Sequence, residues 1–199
     1  MEWVYNTGLA IKGGIGEMGW SGVQGEAPHK YTCGFCGNLV SSEKGWHSDF
    51  DTRMRICPHC QEPTYFSRKG QLPGVSPGAE VEHLPANVEA LYREARNCIS
   101  IGANTSSVLA ARKLLMHVAV EQGAKAGESF QSYVDFLAKK GYVPPNGQGW
   151  VDLIRSKGNE ANHEIKLMTT DDANELITFA EMLLKFIYEF PNRVPKKSP

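Results

Sequence analysis

The chain has 199 residues, 41% hydrophobic and 22% charged, with a net charge of −1. These values are ordinary for a globular protein, and the length suffices for one proper core plus a small accessory module. No apolar run reaches the ~18 residues needed to span a bilayer, and the first 78 residues carry seven basic and seven acidic side chains, without the basic excess that phosphate-backbone binding usually requires.

Residues 1–30 are Gly-rich with scattered aromatics (Trp3, Tyr5, Trp20) and read as loop or short strands. The opening MEWVYNTGLAIKGG has no basic segment ahead of an apolar one, so no signal peptide and a cytoplasmic location are expected. Gly14-Ile15-Gly16-Glu17-Met18-Gly19 spells G-x-G-x-x-G. A dinucleotide site also needs a preceding strand, a helix beginning in the motif and an acidic residue about 20 positions on. More Gly and Pro follow instead, so the run reads as a flexible segment or turn.

Cys33 and Cys36 form one C-x-x-C pair, and Cys57 and Cys60 a second. The intervening length fits the template of two such pairs about 15–20 residues apart that together hold one zinc ion. Zn²⁺ takes four tetrahedral ligands, and thiolates dominate its structural sites. Gly34 and Gly37 can adopt positive φ, and Pro58 pre-sets φ, as tight knuckles require. Disulfides are disfavoured for a cytosolic chain. Residues 31–66 are therefore predicted to be a zinc ribbon of short strands with a structural Zn²⁺ on Cys33, Cys36, Cys57 and Cys60. His47 and His59 are alternative ligands, but four cysteines already fill a tetrahedron.

Residues 67–84, rich in Gly and Pro, read as a linker. Beyond them the hydrophobic period becomes helical. A first helix is predicted over about 86–101, with Val88, Leu91, Tyr92, Ala95, Cys98 and Ile99 on one face. A second is predicted over about 106–122, with Val108, Leu109, Leu115, Met116, Ala119 and Val120 inward. On this helix Arg112, His117 and Glu121 read as a solvated polar stripe. A third, about 129–140, starts near Ser129. A fourth runs from Trp150 to about Lys157, where Gly158 interrupts or loosens it. The last begins at Thr169 or Thr170, has Asp171 and Asp172 at the positive end of its dipole, and closes at Pro191. Residues 192–199 form a polar, Pro-rich flexible tail.

The most unusual polar run is Ile154-Arg155-Ser156-Lys157-Gly158-Asn159-Glu160-Ala161-Asn162-His163. It resembles the IR-x-x-GN-x-x-xH signature of a bacterial helical domain family of unknown function, family number 4145. The similarity extends over 84–191 and takes in Ala111-Arg112-Lys113-Leu114-Leu115 and the terminal Leu-Leu-Lys-Phe-Ile-Tyr-Glu-Phe-Pro. The resemblance implies association with restriction endonucleases and a HEPN-like helical fold over 85–191. Many HEPN-like domains are metal-independent ribonucleases whose motif is Arg, about four to six residues, then His; others are non-catalytic binding modules. Here seven residues separate Arg155 from His163.

The expected architecture is mainly α with a small β zinc module, a zinc ribbon followed by a HEPN-like bundle of about five helices. The expected function is a zinc-containing binding or adaptor module of restriction or anti-phage defence, with a protein or nucleic-acid partner and no membrane. One alternative is a homodimeric ribonuclease, with Arg155 gripping phosphate and His163 as general base. Lys157, Asn159 and Asn162 would then bind phosphate or partner. A second alternative is DNA binding through the ribbon, using Lys44, Arg53, Arg55, Arg68 and Lys69.

Overall fold

The computed structural model describes residues 20–48, 52–143, 147–163 and 167–193, with the backbone alone for 148 and 157–163. The G-x-G-x-x-G run at 14–19 and most of the polar tail lie outside them. Among the described residues, no helix is long and apolar enough to cross a membrane.

The first part is an antiparallel meander of five strands in sequence order: β1 (Gln24–Thr32), β2 (Leu39–His47), β3 (Arg53–Ile56), β4 (Pro63–Ser67) and β5 (Gly70–Leu72). Strand pairing thus begins before residue 31 and continues past 66, into the stretch expected to be linker. One face is covered: His29, Tyr31 and Phe66 pack ring against ring. Arg55 is buried on this side and meets the Glu26 carboxylate at 3.5 Å. Gly45 lies in the middle of β2 because the Met54 carbonyl oxygen passes 1.9 Å from where a Cβ would stand.

Five helices follow: α1 (Ala86–Ser100), α2 (Asn104–Glu121), α3 (Phe130–Lys139), α4 (Gln148–His163) and α5 (Thr170–Leu184). α2 packs against all four others, so it is apolar around most of its circumference. Leu114, Leu115 and Val118 of α2 share one core with Tyr92, Leu137, Ile154, Leu176 and Leu183. The predicted inward face of α2 is partly wrong, since Leu109 and Val120 are exposed whereas Ala111, Leu114 and Val118 are buried. Ser129 caps α3 by accepting from the Ser132 amide. Thr169 and Asp172 form a reciprocal capping box on α5.

Three expectations change. Gly158 does not break α4, whose backbone stays helical to His163. Pro191 does not end the last helix. The chain widens into a π-helical turn at Lys185–Glu189 and continues as α6 (Phe190–Arg193). Proline has no N–H to offer the carbonyl one turn back, and the wider turn carries the register past it. Arg112 is not on a solvated stripe: it is buried, with its guanidinium 4.4 Å above the Phe130 ring. A long alkyl stem and a cation–π seat let arginine occupy a core-facing position that polarity alone assigns to solvent. Burial pushes its pKa down. His117 and Glu121 do face solvent and pair at 3.1 Å.

The stretch between sheet and helices is stapled down. Gly74 donates to the Ser100 carbonyl at 2.7 Å. Arg96 donates to the carbonyls of Pro77 and Gly78, and Tyr92 to that of Ala79. The Ala79 and Glu82 amides donate to Glu181 and Glu189. Glu189 is itself buried and paired with Arg193 at 2.9 Å.

Candidate metal centre and the polar face of helix α4

The two C-x-x-C pairs sit in the β1–β2 and β3–β4 connections, and the meander brings these side by side. Each knuckle closes by the same two backbone bonds. Cys33 N–H donates to Asn38 C=O at 2.9 Å and Gly37 N–H to Cys33 C=O at 2.8 Å. Cys57 N–H donates to Glu62 C=O at 3.0 Å and Gln61 N–H to Cys57 C=O at 2.9 Å. The fourth residue after the leading cysteine is left-handed in both, Gly37 at φ 69° and Gln61 at φ 64°. Glycine takes that conformation freely. Gln61 is held there by its own side chain donating to Pro58 C=O at 3.1 Å and by Trp20, whose indole N–H donates to its carbonyl.

Gly34 has a different reason from the expected one. A Cβ there would stand 2.4 Å from the carbonyl oxygens of both Pro73 and Gly74. The first knuckle is therefore seated against the stretch that bonds to Ser100 of α1. Gln71 reinforces the seat, donating to Thr32 C=O at 2.8 Å and Pro73 C=O at 3.0 Å.

The four sulfurs all lie within 4.8 Å of one another. Cys33 and Cys60 Sγ are 3.7 Å apart, and Cys36 and Cys57 Sγ 3.8 Å. A tetrahedron with metal–sulfur bonds of about 2.3 Å has edges of about 3.8 Å, so two of the quartet's six edges have tetrathiolate length and the other four stay within 4.8 Å. Cys33 and Cys57 are fully buried. Burial pushes the Cys33 and Cys60 thiols up. At Cys36 burial also pushes upward, but hydrogen bonds from the Asn38 amide and side chain outweigh it and hold the thiol at about 6. Both candidate histidines are engaged elsewhere: His47 Nδ1 lies 2.6 Å from Glu26, and His59 Nδ1 lies 3.2 Å from the Asn38 amide.

A model of the family described as "Domain of unknown function (DUF4145)" matches residues 93–198. The chain belongs to this family. The DUF4145 match begins inside α1 and leaves the cysteine-bearing sheet outside it. No curated protein and no solved structure matches the chain.

Within the DUF4145 region, the polar run falls on α4. Arg155 is engaged by two carboxylates, Asp135 of α3 and Asp152 of its own helix. The Asp135 contact ties α3 to α4 and was not legible in sequence, because the two residues stand 20 positions apart on different helices. Arg155 and His163 belong to one continuous helix, eight steps apart. That separates their backbone positions by about 12 Å along the axis and about 80° around it. The side chains of Lys157, Asn159, Asn162 and His163 lie outside the described residues, as do residues 164–166.

Proposed function

We propose that the protein is a binding or adaptor module in which Cys33, Cys36, Cys57 and Cys60 hold a structural Zn²⁺. The sheet would be a zinc ribbon, and residues 85–191 a HEPN-like bundle serving a cytoplasmic restriction or anti-phage system. The observation that carries the metal is the sulfur geometry: four sulfurs converge within 4.8 Å, and two of their spacings, 3.7 and 3.8 Å, equal the edge of a tetrathiolate cage. Four thiolates leave no coordination position open, so the metal organises structure rather than performing chemistry. The biological context rests on family resemblance.

Arg155 supports binding over catalysis. Its guanidinium is already shared by Asp135 and Asp152, and gripping a phosphate would mean exchanging carboxylates that are pre-positioned and charge-matched. The long axial separation from the His163 position points the same way. The competing reading remains a homodimeric ribonuclease using Arg155 and His163. The test incubates single-stranded and structured RNA with the protein and with His163→Ala, without added divalent metal. The adaptor reading expects no cleavage, or the same trace with both. Cleavage that disappears in His163→Ala overturns it.

A further inference from the structure

The strand register lines up four apolar side chains across the sheet. Trp46 is opposite Met54, Met54 opposite Tyr65, and Tyr65 opposite Leu72. Directly opposed residues share a face, so this row lies on the side away from Arg55, Thr64 and Phe66. Met54, Tyr65 and Leu72 are 36%, 41% and 50% exposed. Trp46 is half-buried, met edge-on by Trp20 at 5.8 Å. The sheet's own packing does not need this row, because the aromatic cluster covers the other face. Contiguous exposed apolar surface with a polar rim marks a recognition site.

The rim is cationic at one end. The β4–β5 turn presents Arg68 and Lys69, which with Thr52, Tyr65 and Ser67 line an open concavity of ≈ 490 Å³. Both cations are exposed, and among the described residues neither belongs to an ion pair. Two acids among the described residues of the sheet are disposed elsewhere. Glu26 is tied to His47 and Arg55, and Glu62 precedes β4 at the cysteine end, opposite Arg68.

We propose that this face binds single-stranded nucleic acid, with bases stacked on Tyr65 and Met54 and phosphates held by Arg68 and Lys69. This rests on the binding-module reading and names the partner class. The observations favour a single strand for two reasons. A flat row of ring and thioether surface suits base faces, which a duplex keeps hidden in its own stack. Unpaired cations beside that row suit a phosphate backbone. The surface differs from the basic set expected from sequence, because Arg55 is buried on the opposite face.

The test uses the full chain and labelled single-stranded DNA and RNA of about 12 nucleotides, a length within the site sizes of such grooves. Binding is followed by fluorescence anisotropy against salt. Saturable binding of at least one strand type is expected, with the matching duplex about tenfold weaker. Tyr65→Ala should weaken binding about tenfold, and Tyr65→Trp should retain it. The double substitution Arg68→Ala/Lys69→Ala, on an exposed turn, should flatten the slope of log affinity against log salt by about 1.4. The proposal is overturned by absent binding, by equal binding of duplex and single strand, or by competition from an acidic peptide that matches the oligonucleotide. The two readings fail separately: an uncut RNA that does not bind removes this site and leaves the adaptor, whereas His163-dependent cutting removes the adaptor whatever Tyr65 does.

Discussion

Arg155→Ala separates a structural arginine from a catalytic one. The guanidinium bridges α3 and α4 through Asp135 and takes a second carboxylate from Asp152. Arg155 and Asp135 are 23% and 29% exposed, between a surface pair and a buried one. Exposed pairs contribute about 0–1 kcal/mol and breaking buried ones costs about 3–5 kcal/mol. Removing Arg155 should therefore cost about 1–2 kcal/mol. For a chain of this size that lowers Tm by about 2–8 °C. The assay is thermal unfolding of wild type, Arg155→Ala, Asp135→Ala and the double variant, with the coupling read from the cycle. A coupling above about 0.5 kcal/mol is expected for residues in direct contact. An unchanged Tm in Arg155→Ala with no coupling to Asp135 would refute the clamp.

Gly34→Ala should loosen the first knuckle, since its Cβ would collide with two backbone carbonyl oxygens that cannot swing aside. Faster zinc release to a chelator than in Gly25→Ala, where the added carbon meets nothing, checks this. Thr169→Ala removes the cap of α5 and should cost about 1 kcal/mol by denaturant unfolding, with no effect on metal content. Acid should weaken the pairing of β1 with β2. The His47 hydrogen bond holds the Glu26 carboxyl below its ordinary value of 4.5, so its stabilising contribution is complete above about pH 4.5 and is lost as pH falls through the lowered value. Glu26→Gln should flatten that acid limb, as followed by hydrogen exchange in β1 and β2.

The cysteine pairs and the helix positions were legible because both are local signals. A C-x-x-C spacing and a 3.6-residue period are written within a few turns of chain. The caps at Ser129 and Thr169 are of the same kind. What escaped was set by distant contacts. Gly34 looked like a residue needing positive φ, yet Pro73 and Gly74 are what exclude a side chain there. Arg112 looked solvent-facing because its charge is visible in sequence and its Phe130 seat is not. The stretch 67–84 has the composition of a linker, but Gly74, Ala79 and Glu82 find partners at Ser100, Glu181 and Glu189, far along the chain. Arg155 stood out as a polar oddity. Its engagement by Asp135 depends on how α3 lies against α4, which no local pattern encodes.

In the proposed module, one tetrahedral metal ion organises the four cysteines. Elemental analysis of the purified protein, with Cys33→Ser and Cys60→Ser beside it, tests this most directly. One zinc per chain is expected in wild type, with its loss in both variants and a lower-melting N-terminal sheet in each. A wild-type protein that stays metal-free when refolded with excess zinc, or a Cys33→Ser protein that is metal-free yet melts like wild type, would contradict it.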